Sequence, residues 1–105
     1  MASGFQVELR PSFVPQYRKL PQAQQRLVDN LIRDLAALVN LGSPRSEEAR
    51  ALGRRLRVKP IQRSRRVVPK RMEATYSANG RVVWTLDGDH LVLLYVGDHS
   101  VLEQS

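Results

Sequence analysis

Apolar and polar residues alternate over Phe5-Gln6-Val7-Glu8-Leu9, the period of a half-buried strand. Arg10-Pro11-Ser12 breaks that pattern. Ser12 is a suitable cap for a short helix ending near Leu20, which tolerates Pro15 only in its first turn. Pro21 suits the first position of a second helix. From Gln22 to Asn40, the residues Leu27, Val28, Leu31, Ile32, Leu35, Leu38 and Val39 recur at spacings of three and four. That spacing predicts an amphipathic helix with one wide apolar stripe. No other long helix is available to cover a sheet, so the stripe is expected in the core. Gly42 supplies a left-handed stop and Pro44 blocks continuation. A short helix follows if Ser43 or Ser46 caps it, with Glu47 and Glu48 in its first turn and Gly53 at its end.

The C-terminal third changes period. Met72–Ser77, Arg81–Leu86 and Leu91–Val96 are strand-like, separated by Asn79-Gly80 and Asp87-Gly88. Both dipeptides favour the left-handed angles of two-residue hairpins, which predicts a three-stranded meander. If Asn79-Gly80 is the whole first loop, Ala78 faces Arg81 and Tyr76 faces Val83. Met72, Ala74 and Tyr76 then share a face with Arg81, Val83 and Thr85. Glu73 and Thr75 join Val82, Trp84 and Leu86, and the two large apolar residues turn that face toward the helices. The expected fold is α+β. A small antiparallel-rich sheet, made of the N-terminal strand and the meander, carries two N-terminal helices on one face.

The 105 residues suit one domain over 1–105, too short for a multi-domain enzyme or a doubly wound dinucleotide-binding fold. With no cysteine, a disulfide framework and a thiolate metal site are excluded. Neither a signal peptide nor a membrane-length apolar run is seen, so a cytoplasmic protein with no membrane partner is expected.

Charge alters the picture further. The chain carries +7 overall, yet residues 45–71 alone hold eleven Lys/Arg against two acids. Residues 72–105 hold one Arg and five acids. Such a block repels itself, and a polyanion relieves the repulsion with release of counterions. The alternatives are a solvated basic face or a surface that meets an acidic protein. Pro60 and Pro69 exclude a central strand over 57–71, leaving an edge strand or arm that exposes its cations.

Few residues are suited to chemistry. His90 sits beside the second turn, near Asp87 and Asp89, and reads as structural. His99 follows Val96-Gly97-Asp98 at the end of the most apolar strand, as an exposed residue or a functional imidazole. Two histidines without cysteine make a poor metal site, and no cofactor is implied. Arg81, the only cation after Arg71, is a turn-flanking residue or an anion ligand. Glu73 is a general base or half of an ion pair.

Met72-Glu73-Ala74, Asn79-Gly80-Arg81-Val82-Val83-Trp84, Asp87-Gly88-Asp89 and Leu91–His99 together resemble the RelE/ParE toxin superfamily of type II toxin–antitoxin pairs. Leu56-Arg57-Val58-Lys59-Pro60-Ile61 is similar to the basic segment before the family's meander. The resemblance implies a RelE-like, ribosome-dependent mRNA endoribonuclease, with mRNA and rRNA as contacts and a cognate antitoxin as partner. A ParE-like inhibitor of DNA gyrase is the alternative. Metal-free RNA cleavage needs a base for the 2′-OH, cations for the phosphate and an acid for the leaving oxygen. By position, the resemblance implies Arg81 on the scissile phosphate, His99 as acid or base, and Glu73 as a catalytic carboxylate. An imidazole side chain suits either proton-transfer role. The resemblance further implies Lys59, Arg63, Arg65, Arg66, Lys70 and Arg71 on RNA backbone. Tyr76 and Tyr95 are each available to stack on a base or to pack in the core. Where many nuclease members carry a C-terminal aromatic, this chain has Val101, Leu102 and Glu103.

Overall fold

A computed structural model describes residues 6–40, 47–61 and 70–104. Along the chain run β1 (Gln6–Leu9), α1 (Phe13–Arg18), α2 (Gln22–Asn40) and α3 (Glu47–Leu56). They are followed by β2 (Lys59–Pro60), β3 (Met72–Thr75), β4 (Gly80–Asp87), β5 (His90–Asp98) and a 3₁₀ helix (His99–Gln104). One five-stranded sheet has the order β1-β5-β4-β3-β2. β1 pairs parallel with β5, and the other neighbours are antiparallel. The α+β reading holds, and the short helix and the edge strand offered for the basic stretch are both present as α3 and β2. Phe5, Gly42, Ser43, Pro44 and Ser46 lie outside the described residues. No helix among the described residues is long and apolar enough to cross a membrane.

β1 is only four residues long, so β5 outruns its partner. The last backbone rung runs from the Arg10 N–H to the Leu93 carbonyl at 3.0 Å. Beyond it, α1 takes over the strand's outer edge. The Ser12 hydroxyl donates to the Leu94 carbonyl at 2.7 Å, and the Val96 N–H donates to Gln16 Oε1 at 2.9 Å. Ser12 stands at the helix N-cap position but makes no side-chain cap, because its hydroxyl serves the strand instead. These bonds satisfy edge groups that burial would otherwise leave unpaired.

The α2 stripe packs as its spacing requires. Val28, Leu31 and Leu35 are buried, and Ile32, Leu38 and Val39 pack beside them, while Leu27 at the stripe's margin is exposed. Phe13, Leu56, Ala74, Val82, Trp84, Leu91, Leu93 and Val96 complete this helix-side core. Pro21 precedes α2, its carbonyl accepting from the Gln24 and Gln25 N–H groups at 2.9 and 3.0 Å. Gln25 Nε2 closes the α1–α2 corner by donating to the carbonyls of Tyr17 and Leu20.

Two turns differ from expectation. Asp87 pairs with His90, so the second loop is Gly88-Asp89, with Gly88 at φ 60°. The first hairpin pairs Thr75 with Arg81, which makes its loop Tyr76–Gly80. The Gly80 N–H donates to the Ser77 carbonyl and the Tyr76 N–H to the Gly80 carbonyl, both at 3.2 Å. The register therefore departs from the expected one by three residues. An odd displacement turns every β3 side chain to the other face. Glu73 and Thr75 thus share the face of Arg81, Val83 and Thr85. Ala74 and Met72 pack in the helix-side core with Val82 and Trp84.

Between Val83 and Trp84 a bulge leaves Leu94 as the extra residue of β5. Leu94 and Tyr95 then both pack on the face away from the helices, around Ile61, Val83 and Val101. The 3₁₀ helix folds back to supply Val101 and Leu102 to this second, smaller core.

α3 runs through Gly53, where a stop was expected, and ends at Leu56. The Val58 N–H donates to the Gly53 carbonyl at 3.0 Å and the Arg57 N–H to the Arg54 carbonyl at 3.2 Å. That is a Schellman cap, and Arg57 takes its left-handed position at φ 54°. A non-glycine residue is strained there by about 1–2 kcal/mol. Arg57→Gly should therefore raise Tm by several degrees, read by circular dichroism, which corresponds to about 1 kcal/mol in a chain of this size. An unchanged or lower Tm would contradict the strained cap.

Candidate functional site

The face opposite the helices joins an apolar end and a charged end. β3 lies between β2 and β4, and Glu73 is opposite Lys59 on one side and Val83 on the other. Glu73 is 8% exposed, Arg81 15% and Lys59 67%, taken over their side chains. Glu73 Oε1 lies 3.8 Å from Arg81 Nε and 3.9 Å from Lys59 Nζ. Both contacts are too long to be hydrogen bonds. Two cations thus flank a nearly buried carboxylate and offset its charge. The ion-pair reading of Glu73 is met, with Lys59 and Arg81 as its two partners.

Arg81 is held from behind. Its Nη1 donates to the Gly80 carbonyl at 2.9 Å and, more weakly, to the Ser77 and Ala78 carbonyls at 3.4 Å. The hairpin loop that set the register also fixes this guanidinium. Gly80 is buried at the base of the loop, and a Cβ there would meet the Tyr76 ring at 2.3 Å and Ser77 Oγ at 2.5 Å.

Gly97 faces Arg81 across β4 and β5. A Cβ at Gly97 would meet Val101 Cγ1 at 2.8 Å, so the small residue lets the 3₁₀ helix turn back onto the sheet. His99 opens that helix and is exposed. Asp98 beside it accepts from the Ser100 N–H at 2.9 Å and from the Ser100 hydroxyl, both at Oδ1. The hydroxyl bond, then the backbone bond, hold the Asp98 carboxyl below its ordinary range. Slight desolvation opposes this, and the neighbouring His99 adds a smaller attraction.

The structure gathers Lys59, Glu73 and Arg81 on one face and starts the His99 helix two residues beyond the partner of Arg81. Arg63, Arg65 and Arg66 lie outside the described residues. Lys59 sits on the edge strand β2, as the prolines required, and Lys70 is exposed just before β3. The ends of the basic stretch are tied down by the Ile61 N–H donating to the Arg71 carbonyl at 3.1 Å and by the Thr85 hydroxyl donating to the Lys70 carbonyl at 2.6 Å. Tyr76 is carried to the other side by the register. Its ring packs against the helix-side core and its hydroxyl donates to the Gly97 carbonyl at 3.2 Å. Burial, and then the charge of Asp98, push that phenol up. Tyr95 packs on the second core. His90 bridges Glu8 at 3.1 Å and Asp89 at 3.5 Å, a structural latch between β1 and the second turn.

Sequence reasoning passed over Thr85 and the Asp98–Ser100 pair. The latter had a local signal: an Asp two residues before a Ser, at a strand end, often bonds the backbone two residues on. It also passed over a cavity of about 390 Å³ lined mainly by Leu9, Phe13, Val14, Tyr17 and Ile32. Beside it the edge strand β1 exposes Val7 and Leu9.

No protein-family model and no curated protein matches the sequence. Solved structures do match the fold. A chain of the RelB–RelE antitoxin–toxin complex from Methanococcus jannaschii aligns over 92% of this chain and 95% of its own, at 12% identity and TM-score 0.60. The archaeal RelE–RelB complex from Pyrococcus horikoshii OT3 aligns over 91% and 96%, at 14% identity and TM-score 0.60. The E. coli DinJ–YafQ toxin–antitoxin complex aligns over 95% and 98%, at 15% identity and TM-score 0.58. The chain has the RelE-type fold.

Gly80→Ala should destabilise the fold by about 1–3 kcal/mol in denaturant titration, because its methyl group overlaps the Tyr76 ring and Ser77. A variant as stable as wild type would show that the loop is not packed as described. Ser100→Ala should raise the Asp98 titration midpoint in carbon-detected NMR. The bonds that lower it favour the carboxylate, so their stabilisation is present at neutral pH and lost as pH falls through the lowered midpoint. An unmoved midpoint would remove Ser100 as the cause.

Proposed function

We propose that this RelE-fold chain is the toxin of a type II toxin–antitoxin pair and cleaves mRNA on the ribosome without a metal. The observation that carries the reading is the gathering of Lys59, Glu73 and Arg81 on the sheet face away from the helices. A phosphodiester needs positive charge at its non-bridging oxygens and an acceptor at the neighbouring 2′-OH. Arg81 binds the scissile phosphate and Lys59 adds charge beside it. Glu73 accepts the 2′-OH proton as the 2′-oxygen attacks phosphorus. His99, in its acid form, protonates the departing 5′-oxygen. The products are a 2′,3′-cyclic phosphate and a 5′-hydroxyl, so protons and bonds balance.

Lys70 and Arg71, together with Arg63, Arg65 and Arg66, add backbone contacts to mRNA or rRNA, with the salt dependence that counterion release imposes. The place of a C-terminal aromatic is taken by Val101 and Leu102, which serve the second core instead. A cognate antitoxin belongs to the same reading, supported by fold neighbours that are antitoxin–toxin complexes. The apolar cleft beside β1 offers it a surface.

The test is primer extension on cellular mRNA after brief, controlled induction in a bacterial host, with Arg81→Ala and His99→Ala alongside. New 5′ ends inside reading frames are expected from wild type. Each variant should lose about 10²–10⁴-fold of that cleavage while remaining folded. Arrested growth with intact mRNA would overturn the nuclease reading and turn attention to DNA gyrase, through a supercoiling assay.

A further inference from the structure

A second cleft lies on the other side of the hairpin that holds Arg81. It has a volume of about 300 Å³, within the range of small-molecule sites, and its walls include Gln24, Tyr76, Ser77, Asn79, Gly80 and Asp98. Its chemistry is specific. Among the described residues its walls carry one aromatic ring, Leu20, several neutral hydrogen-bonding side chains, one carboxylate and no cation. A phosphate is unwelcome in such a place. A flat heterocycle rich in N–H donors fits it.

The cleft is also coupled to the charged face. Ser77 and Gly80 line it, and their carbonyls are among those that hold the Arg81 guanidinium. A nucleotide whose phosphate rests on Arg81 therefore lies against the same hairpin that lines the cleft. The Tyr76 ring is positioned by its hydroxyl bond to the Gly97 carbonyl and by the missing side chain at Gly80. Asp98 is positioned as well. Both bonds from Ser100 fall on Oδ1, so Oδ2 is the oxygen left to accept from a ligand.

The geometry points to a guanine-binding subsite here, with Tyr76 as its aromatic wall and Asp98 as the acceptor that reads the base. A carboxylate is acceptor-only when ionised. An exposed aspartate is ionised at neutral pH, and the Ser100 bonds fix the orientation of this one. On its Watson–Crick edge guanine presents N1–H and N2–H₂ side by side, two donors toward one acceptor. Adenine and cytosine each set an amino donor next to a ring-nitrogen lone pair, which a carboxylate repels. Uracil flanks its single N–H with two carbonyl oxygens. Asp98 therefore selects guanine by attraction and rejects the others by repulsion. The role of this subsite in choosing a cleavage site rests on the nuclease reading, but its occupancy does not.

The experiment is an amide-detected NMR titration of the whole purified chain with 5′-GMP, 5′-AMP, 5′-CMP and 5′-UMP in turn. GMP is expected to move the Ser77, Asn79, Gly80 and Asp98 amides and to bind at least tenfold more tightly than the other three. Asp98→Asn should reduce GMP affinity at least tenfold while leaving the rest of the spectrum in place. Tyr76→Leu, checked for fold in the same way, should weaken all four nucleotides. Equal binding of the four, shifts confined to the Lys59–Arg81 face, or an Asp98→Asn variant that binds GMP as wild type does would each overturn the subsite. The titration needs neither ribosome nor cleavage. GMP seated in the cleft of a chain that leaves mRNA intact would refute the nuclease reading and keep the subsite.

Discussion

Glu73 carries a charge on the middle strand of three and has almost no access to water. A carboxylate in that position must be neutralised by neighbours, because removing an unpaired charge from water costs several kcal/mol. Lys59 from β2 and Arg81 from β4 meet that demand from opposite sides. Much of the site follows. β2 is two residues long and places Lys59 opposite Glu73. Arg81 is drawn onto the face away from the helices, where the loop carbonyls hold the rest of its guanidinium. The result is an anion-seeking surface with an acceptor at its centre.

The two faces of the sheet divide the labour. The helix side contains the larger core and needs nothing from the charged residues. The far side is half apolar, built on Val83 and Ile61 and closed by Val101 from the 3₁₀ helix. That helix can lie down only because Gly97 has no side chain to lift it. The same fold-back fixes where His99 and Asp98 stand. A residue at the C-terminal end is thereby tied to the middle of the sheet by packing, without a hydrogen bond to Arg81 or Glu73 among the described residues.

The α2 stripe was legible because its period runs over nineteen residues, and Leu31 and Leu35 allow one orientation only. On β4 both faces carry apolar residues, and it was the bulk of Trp84 and Leu86 that pointed their face toward the helices. β3 was not legible. It is four residues long, and its register is set by a loop whose Asn79-Gly80 pair suggested two residues where the chain uses five. That single miscount put Glu73 on the wrong face and Tyr76 beside Arg81. The charges held the corrective information: Glu73, Lys59 and Arg81 have reason to share a face, and apolar alternation ignores it. Arg57 illustrates another limit. Gly53 looks like a helix stop, but tertiary packing of Leu56 carries α3 one turn further and leaves the cap to a strained arginine.

The dependence of the site on one buried carboxylate is tested most directly by a double-mutant cycle between Glu73→Gln and Arg81→Gln, read by denaturant unfolding at low ionic strength. Residues that act as a unit show coupling of about 0.5–3 kcal/mol, and the account predicts a value in that range for this pair. Additive effects, within about 0.3–0.5 kcal/mol, would show that Glu73 and Arg81 are neighbours without being partners. The charged face would then owe its arrangement to the hairpin alone.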